Sequence, residues 1–315
     1  MTDKIHSQVY ALDIWLESAQ ISFRAYLVKD GKNTMIDTGP SLDSPENLAE
    51  VLKAYDLALK DINFILNTHG HFDHVGGNAL IKKAGSPQIM IHREDAIFLE
   101  DHQSCFERFF APVTKASNPQ EDLAKARDGF LQEMGPELKV DRPLEDNDLL
   151  AIGDNIELRV IHLPGHTPGS VGYYWEKEGM IFTGDSICGL STPDGSLPII
   201  YDLEAYKKSI KRLLDIPLNM ILGCHPYRGI SLPPSAIRMG AGEVKRFLED
   251  SLEAAERITE AVATVKGDKE QPLAEVADRV IARLPASMGF KPVAQLMMPQ
   301  FTLTTVYNAL YRNKG

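Results

Sequence analysis

The chain has 315 residues, of which 43% are hydrophobic and 24% charged, the proportions of a globular protein rather than of a disordered or membrane-spanning chain. Thirty-three basic residues against forty-four acidic ones leave a net charge of −11, which disfavours nucleic acid and anionic membrane surfaces as partners. The length predicts two domains, or one large domain with an appendage.

Asp3, His6 and Asp13 interrupt the N-terminal stretch, which does not read as a secretory signal. No apolar run approaches the roughly 20 residues a membrane helix needs. Residues 23–28 and 34–37 are expected as strands across the turn Asp30-Gly31-Lys32. Ser44 is expected to cap a helix opened by Pro45, with Leu48, Val51, Leu52 and Tyr55 on one face. A buried strand follows at 62–68, then a helix ended by Gly85 and a strand at 88–92.

From about 96 to 144 the rhythm breaks. The segment has helix-like pieces and a phenylalanine cluster (Phe98, Phe106, Phe109, Phe110), and an insertion of this length predicts a cap over a site. Strands are expected again at 148–153, 157–163, 170–175 and 180–184, a helix over 203–214, and a strand at 220–225. After Pro234 apolar residues recur every three or four positions, through Val244, Phe247, Leu248, Leu252 and Ile258, and again from Leu273 to Leu284. The pattern divides the chain into an α/β body over 1–233 and an all-helical region over 234–315.

Three cysteines, Cys105, Cys188 and Cys224, make no disulfide framework. They are read as reduced thiols of a chain in a reducing, cytoplasmic compartment, Cys188 and Cys224 as small buried residues.

Nine histidines are present, and four chemistry-bearing residues, His69, His71, Asp73 and His74, fall within six positions. This density is far beyond chance spacing. The cluster lies just past an expected strand, where ligand sites of α/β sheets gather. Asp37, His166, Asp185 and His225 have the same placement, so five strand ends each deliver an imidazole or a carboxylate. Such donors suit Zn, Fe or Mn, and they are too many for one tetrahedral ion. Of the remaining histidines, His6 and His102 are expected at the surface, and His162 within a strand.

These motifs together resemble the metallo-β-lactamase-fold hydrolases, in the branch with glyoxalase II and lactonases. They are IDTG with Asp37, THGHFDHVGG with His69 to His74, PGHTPGS with His166, FTGDS with Asp185, and GCHP with His225. The resemblance implies a four-layer αββα sandwich with the metals at one edge of the two sheets. It implies His69, His71 and His166 as ligands of a first metal and Asp73, His74 and His225 as ligands of a second. Asp185 would bridge them, and Asp37 would orient a ligand from behind. One subclass of true β-lactamases has Cys at the position of Asp185, which argues against antibiotic cleavage. After His225 many relatives have Gly, where this chain has Pro226, Tyr227 and Arg228, so the pocket wall there is expected to differ.

The function implied is a dinuclear metal-dependent hydrolase, with zinc as the first choice of metal and iron or manganese as alternatives. A metal-bridging hydroxide would attack a small ester, thioester or lactone, with Asp73 holding the nucleophile and relaying its proton. Tyr227 and Arg228 are expected to touch the substrate, Arg228 through a substrate carboxylate. A homodimer stays open. The alternatives are a nuclease acting on RNA, which the charge of −11 disfavours, and an iron-dependent oxidoreductase of the same fold.

Overall fold

A computed structural model describes residues 2–16, 21–40, 45–191, 194–265 and 271–312. The first sheet holds seven strands in chain order: β1 (Thr2–Lys4), β2 (Val9–Leu16), β3 (Ile21–Lys29), β4 (Asn33–Ile36), β5 (Phe64–Leu66), β6 (Gln88–His92) and β7 (Arg142–Leu144). Strands β1 to β4 pair antiparallel, and β4 to β7 pair parallel. The second sheet has the order β13-β12-β11-β10-β9-β8. Its strands are β8 (Leu149–Ala151), β9 (Glu157–His162), β10 (Val171–Trp175), β11 (Met180–Gly184), β12 (Met220–Gly223) and β13 (Ile237–Met239). Only β11 and β12 run parallel there.

Side chains that alternate along each strand build two different cores. On β3, Phe23, Ala25 and Leu27 face the first sheet's outer helices, whereas Tyr26 and Val28 face the second sheet. On β10 and β11, Val171, Tyr173, Trp175, Met180 and Phe182 point inward, and Tyr174 and Ile181 outward. The inner core is therefore sheet on sheet. Two buried phenols tie it across the layers: Tyr26 Oη donates to the Gly223 carbonyl at 2.6 Å, and Tyr173 Oη to that of Asn67 at 2.7 Å.

The helices complete four layers. α1 (Pro45–Lys53), α2 (Phe72–Val75) and α3 (Asn78–Ala84) lie with the first sheet, followed by the insertion helices α4 (Ile97–Glu100), α5 (His102–Cys105), α6 (Ala111–Ser117) and α7 (Leu123–Met134). A π-helical turn, Phe106–Phe110, joins α5 to α6. α8 (Leu203–Leu214) covers the second sheet with Leu203, Tyr206, Ile210 and Leu213, and Asp202 caps it by accepting from the amides of Glu204 and Ala205. α9 (Ala241–Thr264), α10 (Leu273–Ile281) and α11 (Pro299–Tyr307) share that same outer core.

The expected αββα sandwich with a helical C-terminal region is what the chain forms. Three details differ from the sequence reading. Residues 142–144, inside the expected insertion, form β7, because β6 offers a parallel partner. Residues 237–239, inside the expected helical region, form β13 on the edge of the second sheet. His102 is buried, 3% exposed, beneath the insertion with its amide bonded to Glu137. The expected cap residue Ser44 lies outside the described residues. No helix among the described residues is long and apolar enough to cross a membrane.

Candidate metal centre

The carboxyl-end loops of β4, β5, β9, β11 and β12 converge at one edge of the sandwich. Their side chains form two adjoining groups. In the first, His69 Nε2, His71 Nδ1 and His166 Nε2 lie 3.0–3.1 Å apart from one another. Three nitrogens that close, all on buried rings, resemble one face of a tetrahedral ligand shell. In the second, His225 Nε2 is 3.1 Å from Asp73 Oδ2 and 3.6 Å from Asp185 Oδ2. His74 Nε2 is 3.7 Å and 3.5 Å from the same two carboxylates. The rings of His69 and His74 are 3.9 Å apart between centroids, so the groups are neighbours.

Local structure aims these atoms. His71 immediately precedes α2, and Gly70 before it is packed so tightly that a Cβ there would sit 2.4 Å from Phe98. The His166 Nδ1 is 2.7 Å from the Ile199 carbonyl, so it carries the proton and turns Nε2 toward the other rings. Asp37 holds a left-handed backbone, φ 57°, at the end of β4. Its carboxylate accepts from the Thr68 amide and hydroxyl at 2.8 Å each, from His74 Nδ1 at 2.9 Å and from the Cys224 thiol at 3.3 Å. That fixes the His74 tautomer with Nε2 facing Asp73 and Asp185. Gly184 accommodates the Thr68 side chain: it has φ +49°, and a Cβ would lie 2.0 Å from Thr68 Oγ1.

The electrostatics divide the groups. Burial, reinforced by neighbouring imidazoles, pushes His69 well below the ordinary histidine range and His71 down to about 3, and burial also lowers His166. All three keep free lone pairs at neutral pH. Burial would raise the Asp185 carboxyl, but the imidazoles of His225 and His74 outweigh it and hold it well below the carboxylate range. Burial would lower His74, but the carboxylates of Asp73, Asp185 and Asp37 raise it well above.

The donor set fits divalent metal ions. His74 Nε2, Asp185 Oδ1 and His225 Nδ1 are buried without a hydrogen-bond partner, a costly state for polar atoms that a cation would relieve at the first two. Cys188 and Cys224 are buried free thiols, as expected. Burial raises both, so they stay protonated, and Cys224 meets the centre through Asp37.

A cavity of about 610 Å³ opens onto His71, Asp73, His166, Asp185 and His225. Tyr227 lines it. Arg228 does not: its guanidinium donates to the Met288 carbonyl and lies over the Phe290 ring. Two further participants escaped the sequence reading. Asp95 is fully buried three residues past β6, where it accepts from the Gly70 amide, the Thr167 hydroxyl and the Gly169 amide. Tyr201 lines the cavity, its ring 6.1 Å from that of His71. Asp95 shares the strand-end placement of the other site residues, a signal that could have found it. Tyr201 has no such signal.

Residues 24–225 match the model of the metallo-beta-lactamase superfamily. The chain belongs to that superfamily. It is 30% identical to a hydroxyacylglutathione hydrolase of Rhodospirillum rubrum, over 74% of this chain and 75% of that one. It is 33% identical to the hydroxyacylglutathione hydrolase GloC of Haemophilus influenzae, over 60% and 77%. Among solved structures, a metallo-beta-lactamase family protein from Thermus thermophilus superposes with a TM-score of 0.73 at 20% identity, over 98% of this chain and 93% of that one. A subclass B3 enzyme of Bradyrhizobium japonicum gives 0.57 at 18% identity, over 83% and 93%, a likeness of fold alone. This member of the superfamily is a metal-dependent hydrolase.

Proposed function

We propose that the chain is a dinuclear hydrolase of small esters, thioesters or lactones. His69, His71 and His166 would hold one ion and Asp73, His74 and His225 the other, with Asp185 placed to serve both. The observation that carries this reading is the convergence of seven donor atoms in two adjoining groups, with buried atoms of His74 and Asp185 lacking any other partner. Zinc is our first choice of metal, and iron and manganese accept the same imidazole and carboxylate donors. When bound, such a pair lowers the pKa of water into the neutral range and polarises the scissile carbonyl.

The chain's own residues supply the rest. Asp73 is the most exposed member of the second group, its side chain 18% exposed and facing the cavity, and it takes up the proton released on attack. The three neutral imidazoles of the first group donate lone pairs and no protons. Asp37 keeps His74 in one tautomer. Tyr227 shapes the wall beside His225, with ring centroids 5.8 Å apart. The relatives named as hydroxyacylglutathione hydrolases support a thioester as the bond cleaved. A charge of −11 speaks against an RNA substrate.

The test is elemental analysis of the purified chain with a panel of thioester, lactone and RNA substrates. Two zinc ions per chain and chelator-sensitive thioester or lactone cleavage are expected. A single iron with oxygen consumption, or no metal after reconstitution, would refute the reading.

A further inference from the structure

Away from the metal centre the cavity changes character. Its walls are Phe106, Phe109, Phe110 and Phe130 from the insertion, and Met298 and Phe301 from the segment entering α11. The π-helical turn makes this possible, because its wider winding sets Phe106, Phe109 and Phe110 toward one space within five residues. Phe106 and Phe109 are buried, and Phe110 and Phe301 half-buried, so aromatic rings enclose the space from two sides. Outside the metal-centre residues, the charged lining residues are Glu121, Lys125 and Glu133, and Lys125 and Glu133 are exposed. One lysine beside two carboxylates is a poor receptor for an anionic arm. Arg228, the cation expected from the sequence to hold a substrate carboxylate, is turned onto Met288. Arg312 and Arg108 lie over the Phe109 ring, 4.9 Å and 5.0 Å from its centroid, and neither is part of the lining.

We propose that the substrate carries an uncharged apolar arm of medium chain length, seated between the insertion and α11, with the scissile carbonyl at the metal centre. This rests on the hydrolase reading and narrows it to neutral acyl esters or thioesters, away from glutathione conjugates. A cavity of about 610 Å³ is the size of a small-molecule site. The arm displaces water from aromatic walls, and each methylene buried there tightens binding by about fourfold.

Two measurements on the metal-loaded protein separate this inference from the hydrolase reading. The first is calorimetric binding of primary alcohols from butanol to decanol, which needs no catalysis. Affinity is expected to climb about fourfold per methylene until the cavity is full. The second is kcat/KM for neutral acyl-N-acetylcysteamine thioesters from acetyl to decanoyl, beside lactoylglutathione. It is expected to rise with the same slope, with lactoylglutathione the poorer substrate. Phe301→Trp, which fills the apolar end, is expected to shift the preferred length down by several carbons, and Phe110→Ala to shift it up. Length-independent alcohol binding overturns the inference whatever the hydrolysis shows, and so does a preference for lactoylglutathione. Length-dependent binding with no cleavage of any ester supports the apolar arm and overturns the hydrolase reading.

Discussion

Replacing Asp95 with Asn tests whether a buried carboxylate braces the two histidine loops. Asp95 Oδ2 accepts from the Gly70 amide at 2.9 Å and the Thr167 hydroxyl at 2.6 Å, and Oδ1 from the Gly169 amide at 2.6 Å. It thus ties the turn between His69 and His71 to the turn after His166. Burial outweighs these bonds and raises the carboxyl from the ordinary 3.8 to about 6. A raised acid holds its proton more tightly in the folded chain. Its contribution is fully present below about 3.8 and is lost as pH climbs through about 6. The whole loss is about 3 kcal/mol, of which somewhat under half falls between pH 5 and pH 7.5. Asparagine has no such titration. With its amide nitrogen at the Oδ1 position, it keeps the Gly70 and Thr167 bonds and leaves the Gly169 amide facing a donor, a cost of about 1–3 kcal/mol at any pH. Urea unfolding of the chelated wild type and variant gives the difference in stability at each pH, and the other titrating groups cancel in it. The advantage of the wild type is expected to shrink by about 1 kcal/mol from pH 5 to pH 7.5. A difference that does not change with pH refutes the reasoning.

Asp37→Asn disturbs the hydrogen bond that sets the His74 tautomer, and metal affinity is expected to fall 10- to 100-fold, roughly, in competition with a chromophoric chelator; an unchanged affinity would show that His74 is oriented by its own packing. Gly70→Ala places a Cβ 2.4 Å from Phe98, and the strain should cost about 1–3 kcal/mol in thermal unfolding. The atoms it meets first are Phe98 Cβ and Cγ, which leucine keeps, so Phe98→Leu in the same chain is expected not to recover the loss, and full recovery would point to a clash with the ring alone. Tyr173→Phe leaves the buried Asn67 carbonyl without its phenol and is expected to lower stability by about 1–3 kcal/mol at unchanged urea m-value; a shift below 0.5 kcal/mol, roughly, would mean that another group satisfies the carbonyl.

The residues gathered at the candidate metal centre were legible because strand alternation, glycine turns and the spacing of His69, His71, Asp73 and His74 are all local. Strand ends past β4, β5, β9, β11 and β12 carry the donors, and β-propensity with flanking glycines marks those ends within a few residues. Edge pieces such as β7 and β13 were not legible, because three residues carry too little periodic signal and only a neighbouring strand recruits them. The contacts that decide the pocket lie across long stretches of chain. His225 meets Asp73 across 152 positions, and Thr167 meets Asp95 across 72. Arg228 could be read as a substrate anchor from sequence, yet its direction is set by the Met288 carbonyl, 60 positions away. Likewise, a cluster of phenylalanines says that something apolar is covered. Only the packing of α11 against the insertion turns them into walls of a cavity that opens on the metal centre. The sequence by itself determined which atoms could hold metal, since that depends on residue type and local backbone. Tertiary structure decided what reaches them, since that depends on which distant surfaces exclude water together.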